Sequence, residues 1–456
     1  MAFEDLPTAS QMETMASKIP QPHFMTYKSN IPSFVDKLPP EILLSVFLII
    51  AAISPCTPKT EQRDTLWDIP LVCARWRRVS KEVAVLWSHI DVNFESESTL
   101  HTSIKRNSHY LAHLPENIPL YLHITSGAEV PIKTIEAAYR SLGAHMRRVC
   151  SLVAHGFAPS FLDLGLSECT APLWKSGVLV ELILHGPRLT RDAHIPTLES
   201  WWGVTRLKGL QKLELHDFEG GFSPHVEVAL LLLYESPTLH TLCLVRVAFH
   251  SYGHKTRARV RLPNLRVLKI IHHWDDDGLP LILSRLLIDS QELNVELRTG
   301  FEDSPIMKSF RRLLKRSNVV CLSLQLSKPV NFKWYSQYLS RVPHLRTLRL
   351  DFDFSCATFY GLEGVLKKYS KLHLPHLETI YLVHGGMEIW SLKLAAKLVL
   401  CLKAPNLVFR SCWFPGVFEP LNENYINAPH ADPRYKSMPD GMKEWLDEQF
   451  EDPVAI

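Results

Sequence analysis

"VPHLRTLRL", Val342 to Leu350, places leucines at 345, 348 and 350 in the pattern L-x-x-L-x-L, with a proline two residues ahead of the first. The apolar alternation from Leu348 to Leu350 is the period of a strand with one buried face. Proline cannot donate to a ladder and punctuates the chain just before that strand. The same register recurs on both sides as "LVELIL" from Leu179, "LQKLEL" from Leu210, "LHTLCL" from Leu239, "LRVLKI" from Leu265, "VVCLSL" from Val319 and "LETIYL" from Leu377. A weaker copy, "ELNVEL", holds Leu293, Val295 and Leu297, and "LYLHI" and "RVCSLV" extend the series toward the N-terminus. Successive copies lie roughly 25 to 32 residues apart.

Between the copies run helix-like stretches such as "SPHVEVALLLLYES", "PLILSRLLIDS" and "PIMKSFRRLLKRS", and the return to the strand often passes through "SPTL", "LPNL", "VPHL", "LPHL" or "APNL". In such a unit the strand leucines point into a shared core against the helix, and neighbouring copies pair as parallel strands. A doubly wound sheet also alternates strand and helix, but has no reason to repeat one phase of leucines after each proline. The expectation is therefore an α/β fold dominated by a right-handed leucine-rich-repeat solenoid, a horseshoe with parallel strands, over residues 91–411.

A different pattern precedes the repeats. "LPPEILLSVF", Leu38 to Phe47, starts as a helix should, with proline where the first-turn N–H has no partner and Glu41 near the positive end of the helix dipole. Its apolar residues form two rows, Ile42-Val46-Ile49 and Leu43-Phe47-Ile50, where a surface helix needs one. A polar, proline-containing loop follows at Ser54 to Asp64, then "LVCARWRRVS" with Leu71, Val72, Cys73 and Trp76 at apolar spacing, then "KEVAVLWSHIDV", which passes into an alternating strand at Ile90, Val92 and Phe94. Three short helices cannot cover both rows of the first, so a partner is expected. Residues 1–35 read as a flexible leader, 36–90 as the helical domain, and 412–456 as a C-terminal cap or tail in which Trp445, Leu446 and Phe450 could seal the repeat array.

Taken together, "LPPEILLSVF", "LVCARWRRVS" and "LWSHIDV" resemble an F-box followed by irregular leucine-rich repeats, of the type abundant in mushroom-forming (basidiomycete) fungi. That resemblance implies a three-helix module that docks on the Skp-family adaptor, and through it on a cullin, of an SCF-type cullin–RING ubiquitin ligase, with the repeats binding a protein target. Carried over by position, the adaptor-facing residues are Leu38, Pro39, Ile42, Leu43, Phe47, Val72, Cys73 and Trp76, with Leu86 and Trp87 closing the module. The segment from Ser54 to Asp64 is longer than in compact F-boxes and leaves the placement of the first two helices open. The alternative is a scaffold of the same build that binds partners without ubiquitin transfer.

Composition agrees with an interaction protein. Hydrophobic residues make up 46% and charged residues 21% of 456, and the formal net charge is +3. That balance makes no electrostatic case for nucleic acid, and no apolar run reaches the roughly 20 residues of a membrane span. The acidic start "MAFEDLPTAS" does not read as a secretory signal, and nine cysteines without a C-x-x-C pair fit a reducing compartment, cytoplasmic or nuclear. No catalytic motif is present, so no enzyme activity and no cofactor are expected. "HHWDDDG" (272–278) gathers imidazoles and carboxylates but reads as a solvated loop rather than a metal site. It lies one repeat on from the basic "GHKTRARVR" (253–261), with which it would pair or bind a partner. The basic run "KSFRRLLKR" (308–316) reads as a solvated helix face. The partner-binding surface is expected between the strand leucines, at Lys212, Glu214, His216, Lys269, Arg349, Asp351 and Tyr381.

Overall fold

The computed structural model describes residues 37–53, 69, 72–94, 96–126, 133, 138, 140, 142–156, 178–186, 207–219, 223–251, 259–272, 277–299, 305–326, 338–352, 374–383, 404 and 406–410. The leader and the C-terminal cap lie outside these residues. The chain divides into a helical unit, whose described residues end at Val83, and a strand unit, whose described residues begin at Ala84.

In the helical unit, helix α1 spans Pro40–Ile53. Pro40 takes the first helical position, and the Pro39 carbonyl accepts from the Ile42 and Leu43 amides at 3.1 and 3.2 Å. Helix α2 spans Ala74–Glu82 and is capped by the Cys73 thiol, which accepts from the Trp76 amide at 3.4 Å. The Arg75 guanidinium donates to the Leu38 carbonyl, tying α2 to the start of α1. The Phe47 and Trp76 rings meet edge to face, 5.1 Å apart. The expected third helix is a 3-10 turn, Ala84–Trp87, and it falls in the strand unit, where Trp87 packs on that unit's own core.

The strand unit is α/β, built on a twelve-stranded parallel sheet. Its strands run in chain order: β1 (His89–Phe94), β2 (Leu120–Ser126), β3 (Val149–His155), β4 (Glu181–His185), β5 (Lys212–Phe218), β6 (Thr241–Val247), β8 (Val267–His272), β10 (Leu293–Thr299), β11 (Val319–Leu326), β12 (Thr347–Phe352), β13 (Thr379–Val383) and β14 (Asn406–Arg410). Two short strands, β7 (Val260–Arg261) and β9 (Leu286–Leu287), pair separately. The described α-helices are α3 (Glu97–His113), α4 (Val226–Tyr234), α5 (Gly278–Arg285) and α6 (Pro305–Arg316). This sequential parallel order is what stacked repeats produce.

Registers carry the leucine phase from strand to strand. Leu182 pairs with Leu213, Leu213 with Leu242 and Leu242 with Leu268, and further on Leu322 pairs with Leu348 and Leu348 with Ile380. All are buried in one contiguous core, each contributing about 1.5–3 kcal/mol of apolar transfer. The prolines explain the constant phase. In Ser236-Pro237-Thr238-Leu239, Leu262-Pro263-Asn264-Leu265, Val342-Pro343-His344-Leu345 and Leu374-Pro375-His376-Leu377, the last amide donates to the first carbonyl at 3.1 to 3.4 Å. Each is a four-residue turn with proline at its second position, where a fixed φ is already correct. The residue after proline then links to the preceding repeat. Thr238 donates to the Leu210 carbonyl at 3.0 Å, Asn264 to Pro237 at 3.3 Å and Asn406 to Glu378 at 3.1 Å.

Helix α3, whose sequence is mostly polar, was not expected. Ser96 and Thr99 form a reciprocal capping box at its start, and its inward polar side chains reach strand β1: Asn107 donates to the Asp91 carbonyl at 2.7 Å. Among the described residues no helix is long and apolar enough to cross a membrane.

Candidate functional site

Two surfaces are candidates, one in each unit. On α1 the two apolar rows separate by burial. Leu43 (1% exposed) and Phe47 (0%) face the helical unit's interior with Ile69 and Val79, while Ile42 (47%) and Ile49 (56%) are in solvent with Leu44 and Leu48. Val72 (58%), just before α2, is also exposed. Of the expected adaptor-facing set, Leu43 and Phe47 are thus buried, the Phe47 ring against Trp76, while Ile42 and Val72 are exposed. Of the remaining expected residues, Pro39 is exposed, Leu38, Cys73 and Trp76 are half-buried, and Cys73 and Leu38 are engaged in the cap and the Arg75 contact. Leu44 and Leu48 were missed, although an i, i+4 count from Leu44 would have found them.

The second surface is the face of the sheet opposite its leucines. Strand pairing sets the residues between the leucines in rows, so Glu181, Lys212 and Thr241 share one row and Glu214, Cys243, Lys269 and Glu296 another. Two ionic networks result. In the first, Ser151 donates to Glu181 at 2.6 Å, Lys212 bridges Glu181 (2.8 Å) and Glu214 (3.2 Å), and Glu214 meets His216 Nε2 at 3.1 Å. The His216 bond and the Lys212 charge outweigh burial and hold the Glu214 carboxyl down to about 2. In the second, Glu296 pairs with Lys269 at 3.2 Å and Arg298 at 2.7 Å, and the buried Asp351 carboxylate lies 3.8 Å from Arg298 and 3.5 Å from Arg349. Cys243 and Val245 separate the networks. Both are buried, and burial pushes the Cys243 thiol up to about 12, so it is inert as a nucleophile at neutral pH.

Beside the first network three imidazoles stack. His155 and His185 are 4.1 Å apart and His185 and His216 4.3 Å, nearly parallel. Burial, reinforced by the two flanking rings, lowers the His185 pKa to about 3. The rings lie face to face rather than converging, and among the described residues no three possible ligands gather as a metal site would require. Just beyond this row the strands bend: Asp217 and Arg246 adopt left-handed φ of 60° and 51° and pair with each other, while Gly186 approaches the Asp217 carbonyl so closely that a Cβ would stand 2.1 Å from its oxygen.

Lys212, Glu214, His216, Lys269, Arg349, Asp351 and Tyr381 thus all lie on this polar face, divided between the networks except Tyr381, which sits beside Arg349 in register. Ser151, Glu181, Glu296, Arg298 and the His155–His185 pair were missed, although Glu181 and Glu296 occupy the same phase of their copies as residues that were singled out. Of "HHWDDDG", His272 ends β8 and is buried, Asp277 precedes α5, and residues 273–276 lie outside the described residues, as do 253–258 of the basic run.

The chain is thus an α/β protein of parallel, repeat-like strands with an appended helical unit. No family model and no curated protein matches it. Among solved structures, a chain of the crystal structure of the Rad7 and Elc1 complex in yeast is similar over 84% of this chain and 94% of that chain, with 14% identity and a TM-score of 0.35. A likeness that distant carries no argument about the surfaces above.

Proposed function

We propose that this protein is a non-catalytic substrate-recognition subunit of an SCF-type cullin–RING ubiquitin ligase, in which the helical unit is an F-box docking on a Skp-family adaptor and the repeats form a leucine-rich-repeat solenoid that binds a protein target. The observation that carries the reading is the set of apolar side chains left exposed on α1, in two strips, Ile42 with Ile49 and Leu44 with Leu48, on a helix whose Leu43 and Phe47 are already packed and whose start is the motif "LPPEILLSVF". Apolar side chains left in water on two strips of one helix, with a further one at Val72, suit burial by a partner that covers the outward side of α1. The polar face suits a protein target better than a polyanion, because its cations are already paired with carboxylates. A working place in the cytoplasm or nucleus belongs to the same proposal.

Mixing the purified chain with a Skp-family adaptor and a cullin, followed by size-exclusion chromatography, tests it. Co-elution of all three supports the ligase reading. Adaptor without cullin favours a scaffold that transfers no ubiquitin, and failure to bind the adaptor overturns both.

A further inference from the structure

Away from the polar face, on the helix side of the strand unit, arginines gather that pair with no acid among the described residues. Val260 of β7 pairs with Leu286 of β9, and both are buried. Arg259 and Arg285 immediately precede them, so their backbones stand roughly 5 Å apart on adjacent segments, and by strand alternation Arg259 and Arg261 share the exposed side of β7. Arg316, at the end of α6, reaches the same place: it donates to the Ser284 carbonyl at 3.1 Å and the Leu283 carbonyl at 2.5 Å, occupying the last turn of α5. Arg312 lies one turn earlier on α6 and is exposed, as are Arg259, Arg261 and Lys315. Arg285 Nε is shielded from water and bonded to nothing among the described residues. Burial and the Arg259 charge together lower the Arg316 pKa, as expected where like charges crowd. Among the described residues no carboxylate pairs with Arg259, Arg261, Arg285, Arg312 or Arg316, and Asp289, two residues past β9, is exposed and makes no ion pair. Helix α4 packs against β7 and carries two exposed apolar side chains, Leu231 and Tyr234.

Five crowded arginines beside two exposed apolar groups call for an occupant that is both acidic and apolar. This chain contains one. "DGMKEWLDEQFED", Asp440 to Asp452, has six carboxylates and one lysine, interleaved with Trp445, Leu446 and Phe450. We propose that the arginine cluster of Arg259, Arg261, Arg285, Arg312 and Arg316 is the docking site for this acidic segment of the same chain, with Leu231 and Tyr234 receiving its apolar side chains. Reach permits it. From β14 to β8 is five steps in the sheet order, roughly 25 Å at strand spacing, while the roughly thirty residues between Arg410 and Asp440 can extend to about 100 Å. Charge complementarity in a partly shielded cluster supplies orientation, and the aromatic side chains supply area. The inference stands independently of the ligase reading.

Zero-length carbodiimide cross-linking of the full chain tests it, because Lys315 lies beside Arg316 and can form an amide with a carboxylate docked there. Mass spectrometry is expected to find Lys315 joined to a carboxylate of residues 440–452 within a single chain, with the yield lost in 1 M salt, where the screening length falls to about 3 Å. The same product is expected to disappear in an Arg259→Glu/Arg261→Glu variant. Both positions are exposed, so its unfolding midpoint should match the wild type. Absence of the product, an equal yield in the variant, or a product formed only between two chains overturns the proposal. If the charge-reversed variant unfolds, Arg259→Gln/Arg261→Gln replaces it with the same expected loss.

Discussion

The helical unit and the strand unit treat the same residue types in opposite ways. Along α1, Leu43 and Phe47 are buried while Ile42, Leu44, Leu48 and Ile49, on the same helix, stay in solvent. In the strand unit every leucine of the L-x-x-L-x-L copies is buried, and the face left over carries carboxylates, ammoniums and guanidiniums that neutralise one another. The exposed apolar side chains of α1 are therefore an excess beyond what the described residues of the helical unit absorb. On the polar face, by contrast, the charges already have partners within the chain.

The largest test of that contrast is Phe47→Ala. Removing a fully buried ring that meets Trp76 is expected to cost about 3–5 kcal/mol and unfold the helical unit, read by loss of the Trp76 near-ultraviolet signal. Leu48→Ala, one residue on and exposed, is expected to change stability by less than about 0.5 kcal/mol. An equal response of the two would erase the distinction between inner and outer rows. In the strand unit, Leu324→Ala is expected to cost about 2–5 kcal/mol in urea denaturation. Gly186→Ala follows at about 1–3 kcal/mol, because the new Cβ meets backbone rather than a side chain that can swing away.

A smaller effect concerns pH. The folded His185 pKa of about 3 lies below the ordinary 6.5, so between those values the unfolded chain binds the extra proton. Stability is full above 6.5 and falls as pH drops through that window. The groups acting on His185 are His155, His216, Asp217 and Glu214, and Glu214, held at about 2, adds a separate loss only below about 4.5. Urea titrations at pH 7.5 and 5.5 should show the wild type losing up to about 1 kcal/mol more than His185→Gln between the two. A wild type with no extra loss would mean that the stacked imidazoles accept protons freely. Least of all, Lys208→Ala, at an exposed ion pair with Glu235 of 3.9 Å, should cost no more than a few tenths of a kcal/mol.

These differences also mark what could be read from residues alone. The repeat phase was legible because each strand must place apolar residues at the same three positions, and the prolines at Pro237, Pro263, Pro343 and Pro375 announce the turn before each. The assignment of α1's two rows was not, since Ile42-Val46-Ile49 and Leu43-Phe47-Ile50 are similarly apolar, and the contact of Phe47 with Trp76 joins segments far apart in sequence. Helix α3 was hidden because Ser103 and Asn107 are buried by hydrogen bonds to β1 rather than by apolar character. The arginine cluster was hidden for a third reason: strands β7 and β9 are two residues each, too short to leave a period, yet they bring Arg259 beside Arg285. On the polar face, the positions of the charges followed from phase, whereas their division into two networks depended on which neighbours the register supplied.

The most direct test of the account is a calorimetric titration of a Skp-family adaptor into the wild-type chain and into Ile42→Asp/Ile49→Asp, with circular dichroism confirming that both are folded. Saturable binding by the wild type, weakened by about 2 kcal/mol or more in the variant, is the predicted result. Equal affinities would contradict it, as would a folded wild type that does not bind, because the exposed row of α1 would then have some other use.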